Sequence, residues 1–383
     1  MATRTYSSRL GAIDDAQLAR AVARHGLGQF LRAAPIAGGL FGQNLFLHTT
    51  AGEFVLRGAP HWVDGAPNDA WQFGKEAFFA ERLHAHTDVP SPWPQWRDRD
   101  DDLFGWPYVI MPRLRGLCLH DRAIAPRATH PEAALPSRAD RQGIARALGI
   151  GLARLQRLRS PVAGDIDIHG EFAAWPRGHA GYLADDLLQM ADAATANGAF
   201  GARERAWLVD AIAAGTAGGA RQPGAVGAVF VHADYKLDNL VLVRTPRGHD
   251  PRGAHAAVGE ADEAWSVCGV FDLHTACFGL PLLDLCRTAC TWLDLEPAFA
   301  RTFVQAWQAA SGTQVIDAAT LRLCLLNERM KIWEYFTRPE QRAAFAAQVP
   351  HATDFVRFVE PYLAGMREIA APSATPAEAP TGA

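Results

Sequence analysis

The chain has 383 residues, of which 49% are hydrophobic and 20% are charged, a composition typical of globular proteins. Its 37 basic and 41 acidic residues leave a formal net charge of −4, which gives no electrostatic footprint for nucleic acid. No window approaches the roughly 18 apolar residues of a membrane helix, and residues 1–30 lack an apolar signal region, so we predict a cytoplasmic protein without a membrane partner.

The N-terminal part predicts a helix, a hairpin, a second helix and a strand. Apolar residues recur at helical spacing over residues 13–32. The runs LFLHTT and FVLR flank a tight AGE turn and predict a β-hairpin, which a glycine-containing segment precedes. A helix over 71–86 and a strand over 106–114 complete this part of the chain.

The C-terminal part is mainly helical. Two strand signals stand out there, at 229–243 and 265–272, and a polar surface loop over 245–264 separates them. The last residues, 372–383, carry almost no core-forming side chain and are predicted to be disordered. Helices are predicted over 137–158, 185–194, 203–213, 302–310, 318–335 and 354–371.

The six cysteines form no CxxC pair and have no histidine at zinc-ligand spacing, so they are interpreted as free thiols. Cys286 and Cys290 lie one helical turn apart. A metal pair and simple core filling both remain open for these two residues.

The run VHADYKLDNLVLV, residues 231–243, contains the most informative pattern. Asp234 and Asn239 stand five positions apart in a loop between two β-branched runs. This is the spacing of the kinase signature H-R-D-L-x-x-x-N, in which a carboxylate meets the acceptor hydroxyl and an amide oxygen holds a metal ion. Lys236 would offset charge on the transferred phosphoryl group. Alone, such residues are usually turn formers.

Asp272 is a candidate second metal ligand beside Asn239. It ends the apolar run VCGVFD, and a hairpin through the polar loop would return it to the side of Asn239. Two converging oxygen ligands suit Mg²⁺, which takes few protein ligands and completes its shell from phosphates and water. A strand-end cap is the alternative interpretation for Asp272 alone.

The chain resembles the aminoglycoside phosphotransferase family. The stretch FDLHTACFGLPLLDLCR is similar to the family's pattern at Asp272, Gly279, Pro281 and Asp284, with Asp284 accepting hydrogen bonds from the catalytic loop. DYKLDN is closest to a branch that includes kinase domains associated with acyl-CoA dehydrogenases acting on hydroxyacyl compounds.

The resemblance implies an α+β, protein-kinase-like fold with two lobes. Residues 1–114 would form a small mixed N-lobe and residues 115–371 a larger, mainly helical C-lobe. Mg²⁺-bound ATP would bind between the lobes, and the acceptor would be a small-molecule hydroxyl. Asp234 and Lys236 would act on the reacting groups, and Asn239 and Asp272 would hold the metal.

The resemblance also assigns nucleotide-binding residues in the N-lobe. Arg57 stands where such kinases usually carry Lys, with Glu76 as its partner and Glu81 as the rival partner. The other implied contacts are the glycine loop with Gly39, Gly42 and Asn44, and the hinge with Met111 beside adenine, the Pro112 carbonyl and the Leu114 N–H.

Several residues depart from the family pattern. Ala233 replaces the usual Gly, and Leu273 and His274 stand where an aromatic residue and Glu are common. These departures, with Arg57, leave an alternative function open: a nucleotide-binding regulator with weak or no catalysis. A helical structural protein with accidental motifs is the third hypothesis. The sequence leaves the acceptor open among antibiotics, hydroxyacyl compounds, amino alcohols and sugars.

Overall fold

The structure is a computed structural model that describes residues 3–7, 10–36, 44–58, 68–120, 136–167, 169–219, 227–246 and 263–370. The predicted loop 245–264 and the predicted disordered residues 372–383 fall largely or wholly outside these ranges. The strands are β1 (Thr3–Ser7), β2 (Gly11–Asp14), β3 (Phe30–Pro35), β4 (Asn44–Thr49), β5 (Gly52–Gly58), β6 (Trp96–Asp98), β7 (Tyr108–Pro112), β8 (Gly164–Ile166), β9 (Phe172–Ala174), β10 (Val229–Val231), β11 (Leu240–Pro246), β12 (Glu263–Val270) and β13 (Cys277–Gly279). The helices are α1 (Asp15–Arg24), α2 (Asn68–His86), α3 (Arg138–Leu155), α4 (Gly178–Ala196), α5 (Ala202–Gly219), α6 (Leu282–Leu295), α7 (Pro297–Ser311), α8 (Ala318–Phe336), α9 (Arg342–Gln348) and α10 (Phe355–Ala370).

An antiparallel sheet forms the N-terminal part, with strand order β3-β4-β5-β7-β6. The predicted hairpin is present as β4 and β5, which pair from Asn44 with Arg57 to Thr49 with Gly52. Alternate residues of β4 are buried, so one face of this hairpin covers a core shared with α1. The sheet therefore holds Arg57 at the end of a buried central strand.

The predicted first helix is shorter than expected. Helix α1 ends at Arg24, and Phe30, which was predicted to be helical, begins β3. Gly26 and Gly28 separate the two elements with left-handed φ angles of 67° and 81°, which an α-helix does not accommodate. The prediction of a helix over 13–32 was wrong beyond Arg24 for this reason.

Helix α2 contacts both parts of the molecule. Phe73 packs against Val109 and Met111 of the N-terminal sheet. About two and three turns further, Phe79 and Leu83 are fully buried in the large C-terminal core. The proposed lobe boundary at residues 114 and 115 stays a prediction, but α2 is packed on both sides of it.

The C-terminal part is a helical bundle around a second sheet. Helix α3 packs against α7, and α8 packs against α4, α5 and α6. The sheet has strand order β10-β13-β8-β9, and three of these four strands, β8, β9 and β13, were missed from sequence. Each has only three residues, which is too short for an alternating pattern to be recognised.

The hairpin of β11 and β12 follows the loop that contains Asp234 and Asn239. Its strand β11 is hydrogen-bonded to the segment after β7. Leu117 and Leu242 exchange two backbone hydrogen bonds of 2.8 Å.

All six cysteines are free thiols, and Cys286 and Cys290 are buried in the core. None of the helices in the described ranges combines the length and apolar character that a membrane span requires.

Candidate active site

The loop between β10 and β11 brings three predicted site residues together. Lys236 Nζ lies 2.8 Å from Asp234 Oδ2, and the side-chain amide nitrogen of Asn239 donates to the same oxygen over 3.0 Å. Burial acts to raise the pKa of Asp234, but the charges of Arg287 and Lys236 outweigh it and the pKa is lowered. Asp234 is therefore an ionised carboxylate at neutral pH.

A fully buried carboxylate holds this loop in place. Asp284, on α6, accepts hydrogen bonds from the backbone N–H groups of His232 and Ala233 over 2.7 and 2.8 Å. The hydroxyl of Thr275 donates to the carbonyl of His232 over 2.9 Å. Burial raises the pKa of Asp284 to about 7, with the two N–H donors acting in the opposite direction. These contacts match the structural role that the sequence implied for Asp284.

Ala233 has a left-handed backbone, with φ of 61°. A Cβ in this conformation costs roughly 1–2 kcal/mol, which explains why glycine suits the position. Ala233→Gly is therefore expected to raise the free energy of unfolding by about 0.5–1 kcal/mol, measured by urea denaturation. Ala276→Gly is the control, because Ala276 has an ordinary φ of −64° and should lose stability instead. A loss for Ala233→Gly equal to that of Ala276→Gly would contradict the strain assigned here.

The segment before Asp272 is attached to the catalytic loop by backbone contacts. The N–H of Phe271 donates to the carbonyl of Asn239 over 3.1 Å, and the Phe271 carbonyl lies 3.0 Å from His232 Nε2. Asp272 follows with a left-handed φ of 66°. The two loops therefore meet beside Asn239, as the hairpin argument predicted.

Two basic side chains contact one oxygen of Asp272. Arg57 Nη2 lies 3.3 Å and His274 Nδ1 lies 2.9 Å from Asp272 Oδ1. Burial acts to raise the pKa of Asp272, but the His274 hydrogen bond and the Arg57 charge outweigh it and lower the pKa. His274, which departs from the family pattern, is thus bound to this carboxylate.

Arg57 and Glu76 form the expected ion pair. Arg57 Nη1 lies 2.7 Å from Glu76 Oε1, and both residues are buried. Burial raises the pKa of Glu76, although the adjacent guanidinium acts to lower it. The rival partner, Glu81, is exposed. Asn44 lies opposite Arg57 in the hairpin, and its buried Oδ1 has no hydrogen-bond partner within the described part of the chain.

The residue beside Glu76 makes a second ion pair from α2. Lys75 Nζ lies 2.6 Å from Asp165 Oδ2 on β8, and the Lys75 side chain is 3% exposed. Burial raises the pKa of Asp165, with Lys75 acting in the opposite direction. The sequence gives no local signal for this contact, because Lys75 and Asp165 are ninety positions apart.

The predicted hinge residues lie at the end of β7. Met111 is buried between Phe73 and Val55, and Pro112 is paired with Phe54. The side chain of Leu114 lies over Gly269 of β12, where a Cβ would be 2.8 Å from Leu114 Cδ1. The predicted nucleotide loop with Gly39 and Gly42 lies outside the described residues.

Arg287 is a site residue that sequence reasoning missed. Its Nε lies 3.1 Å from Asp234 Oδ1 and 3.9 Å from Glu328 Oε2, and its side chain is 15% exposed. Arg287 follows Asp284 by three positions on α6, so both side chains point toward the catalytic loop. The helical spacing from Asp284 was the available signal.

Other candidate residues belong to the core. Trp292, Trp307 and Trp333 are buried, whereas Tyr335 is 40% exposed. His179 is buried, its Nδ1 accepts the backbone N–H of Leu280 over 2.6 Å, and burial lowers its pKa to about 3. The three tryptophans therefore belong to the core.

The donor set at the two loops fits Mg²⁺. Asn239 uses its amide nitrogen on Asp234, which leaves a carbonyl oxygen as the ligand atom, and both cations at Asp272 contact Oδ1 rather than Oδ2. Ligand atoms of Glu76, Asp272 and His274 lie within 4.8 Å of one another. Imidazole suits transition metals better than Mg²⁺, so the oxygen pair of Asn239 and Asp272 fits the ion better than the group with His274.

Solved structures share this architecture. A proposed aminoglycoside phosphotransferase from Ralstonia eutropha has a TM-score of 0.53 at 15% identity, covering 93% of this chain and 98% of that one. A thermostable mutant of the aminoglycoside phosphotransferase APH(4)-Ia in its apo form gives 0.53 and 15%, covering 93% and 99%. A ternary complex of an APH(4)-Ia mutant with ADP and hygromycin B gives 0.52 and 15%, covering 90% and 97%.

These likenesses show the fold, and the predicted α+β, kinase-like two-lobed architecture is confirmed. No curated protein matches the chain at a significant level. A profile of the phosphotransferase enzyme family matches residues 32–323, which is more than half of the chain, and the protein therefore belongs to that family.

Proposed function

We propose that this protein transfers the γ-phosphoryl group of ATP to a hydroxyl group of a small molecule. The observation that carries the proposal is the meeting of Asp234, Lys236 and Asn239 with Asp272, Arg57 and Glu76 around the junction of two loops. A carboxylate beside an ammonium, two oxygen ligands and a buried guanidinium are the parts that phosphoryl transfer requires of a protein.

The reacting groups are assigned to the first loop. The acceptor oxygen forms a bond to the γ-phosphorus, the bond from that phosphorus to the β,γ-bridging oxygen breaks, and ADP leaves with the electron pair. Asp234 accepts a hydrogen bond from the hydroxyl and takes its proton, which then passes to solvent. Because its pKa is lowered, Asp234 acts chiefly by orienting the hydroxyl. Lys236 offsets negative charge on the moving phosphoryl group.

The nucleotide side is assigned to the remaining residues. Asn239 and Asp272 would hold Mg²⁺, which supplies neutralising charge on the phosphates. Arg57, fixed by Glu76, would meet phosphate, and its planar fork allows contact with two oxygens. Gly39, Gly42 and Asn44 would approach the phosphates, and Met111, Pro112 and Leu114 would meet the adenine.

Binding of Mg²⁺-ATP is tested by thermal denaturation of the full chain. ATP with Mg²⁺ at about 100 times its Kd is expected to stabilise the protein by roughly 2.7 kcal/mol, with a smaller shift when EDTA removes the metal. Asp272→Asn should lose the Mg²⁺-dependent part of the shift, because a ligand oxygen is replaced by an amide. Asp192→Asn is the control, since Asp192 is exposed and pairs with Arg205 on the surface.

The result also separates the alternatives. Absence of any Mg²⁺-dependent shift in the unaltered protein would refute the proposed function. A normal Mg²⁺-ATP shift in a protein that phosphorylates no hydroxyl compound, as judged by mass spectrometry of the products, would favour the nucleotide-binding regulator.

A further inference from the structure

The two oxygens of Asp234 have different surroundings. Oδ2 contacts Asn239 and Lys236, which lie on the side of the proposed metal ligands. Oδ1 lies 3.1 Å from Arg287 Nε on α6. An acceptor hydroxyl that approaches Asp234 from the Oδ1 side, opposite the proposed metal ligands, would therefore lie close to Arg287 and its neighbours.

A ladder of polar side chains extends from Arg287 across α8 to α4. Glu328 Oε2 lies 3.9 Å from Arg287 Nε, and Glu328 Oε1 lies 2.9 Å from Lys331 Nζ. Asn327, beside Glu328, donates to Asp186 Oδ2 over 2.7 Å. We call the partly exposed side chains of Asp186, Asp234, Arg287, Lys331 and Tyr182, together with the buried Glu328, the acceptor face.

The three carboxylates of the acceptor face are balanced by Arg287 and Lys331 within it and by the neighbouring Lys236. Its carboxylates are Asp186, Asp234 and Glu328, and each contacts a cation or an amide donor: Asn327 for Asp186, Lys236 and Arg287 for Asp234, and Lys331 for Glu328. Glu328 is 2% exposed, so its ion pair cannot be broken without stranding a buried charge. A polycation would have to bind beside resident cations that repel it.

An aromatic pair closes the far end of the face. Trp175 and Tyr182 stack with ring centroids 4.1 Å apart and an interplanar angle of 10°, and Tyr182 is 42% exposed. Partial burial of its hydroxyl raises the pKa of Tyr182 to about 12, and the charges of Asp186 and Lys331 act on the same group. Tyr182 precedes Asp186 by four positions on α4, so the two side chains lie on the same face of the helix. The exposed part of the Tyr182 ring is available to a ligand.

We propose that the acceptor is a hydroxyl compound without net positive charge that carries a ring, and that the ring stacks on Tyr182. The inference rests on the proposed function, because the face leads to Asp234. It points away from polycationic aminosugars, whose ammonium groups need carboxylates that are not already paired. A neutral sugar and a ring alcohol with one carboxylate are both within the class.

The charge argument is tested by calorimetric titration of kanamycin, a polycationic aminosugar, into the protein with Mg²⁺-ADP present. The unaltered protein is expected to bind with a Kd weaker than about 1 mM. Lys331→Met removes a cation whose side chain is 37% exposed, and the variant should bind kanamycin at least about tenfold more tightly. Arg338→Met is the matched control, because it frees Glu334 at the end of α8 and should change nothing. Micromolar binding by the unaltered protein would overturn the proposal.

The ring argument is tested by turnover of methyl glucoside, which is neutral, and 4-(hydroxymethyl)benzoate, which carries one carboxylate. At least one should be phosphorylated, and Tyr182→Leu should raise its KM about three- to tenfold without changing the KM for ATP. Tyr335→Leu is the matched control, since Tyr335 is 40% exposed on α8 outside the face. An unchanged KM in Tyr182→Leu, or phosphorylation of neither probe, counts against the proposal.

Two safeguards keep the test decisive. If Lys331→Met does not fold, Tyr182→Glu adds an unpaired carboxylate at an exposed position and should produce the same gain in kanamycin binding, with Tyr335→Glu as its control. The Mg²⁺-ATP shift is measured on every variant. Absence of the Mg²⁺-ATP shift in the unaltered protein refutes the phosphotransferase proposal. A normal shift in a protein that binds kanamycin in preference to the two ring probes refutes only the proposed acceptor class.

Discussion

Asp234→Asn is expected to lower kcat by roughly 10²- to 10⁴-fold, the usual contribution of a positioned acid–base group. Asparagine keeps the size of the side chain and its contact with Asn239, but it removes the charge that Lys236 and Arg287 surround. The affinity for Mg²⁺-ATP should change little, since the assigned metal ligands are intact. ADP formation with the two ring probes, with mass spectrometry of the product, measures the loss.

The matched control for this substitution is Asp192→Asn, in which a surface carboxylate loses its charge. It should retain full activity and stability. Turnover by Asp234→Asn at the rate of the unaltered protein, with a genuine acceptor, would show that the roles assigned to the catalytic loop are wrong.

Arg57→Met is expected to reduce the free energy of unfolding by roughly 3–5 kcal/mol, because the Glu76 carboxylate would remain buried without its partner. The Glu76 side chain is only 4% exposed, and Asp272 loses a cationic contact at the same time. Urea denaturation followed by circular dichroism measures the change. A loss below about 1 kcal/mol would place this pair among ordinary surface ion pairs instead.

A second variant separates stability from function at the same position. Arg57→Met with Glu76→Leu replaces the ion pair by apolar side chains and should recover most of the stability. It should not recover full Mg²⁺-ATP affinity, because the guanidinium assigned to the phosphates is absent. Arg57→Lys keeps the charge and should lie between the two, since one ammonium cannot contact Glu76 and Asp272 in the fork geometry of a guanidinium.

The sequence predicted those site residues that lie close together along the chain. Asp234, Lys236 and Asn239 stand within one loop, and Asp272 follows β12, the strand that pairs with β11, so the apolar runs around them were sufficient to bring them together. Arg57 and Glu76 were implied by the resemblance to the family. Their roles in binding and catalysis stay predictions.

The contacts that sequence reasoning missed are those between distant segments. Arg287 and Asp234 belong to different elements, and Lys75 contacts Asp165 across ninety positions. Neither pair has a local pattern, because ion pairs of this kind are decided by packing. The three-residue strands were missed for a related reason: backbone pairing with neighbours defines them more than their own side chains do.

The end of α1 shows the opposite error, in which a local pattern was extended too far. Apolar residues continue at helical spacing to Leu31, yet two glycines with left-handed φ stop the helix. Spacing records which residues are apolar, and backbone conformation decides where a helix ends.

Lys75 and Glu76 are neighbours on α2, and they hold Asp165 on β8 and Arg57 on β5. Because the two residues share one rigid helix, a displacement of α2 that lengthened one ion pair would also disturb the other. The same displacement would reach Asp272 through Arg57. Helix α2 thus connects the ion pairs of Arg57 to the C-terminal sheet, and a displacement of this one helix would change both sets of contacts together.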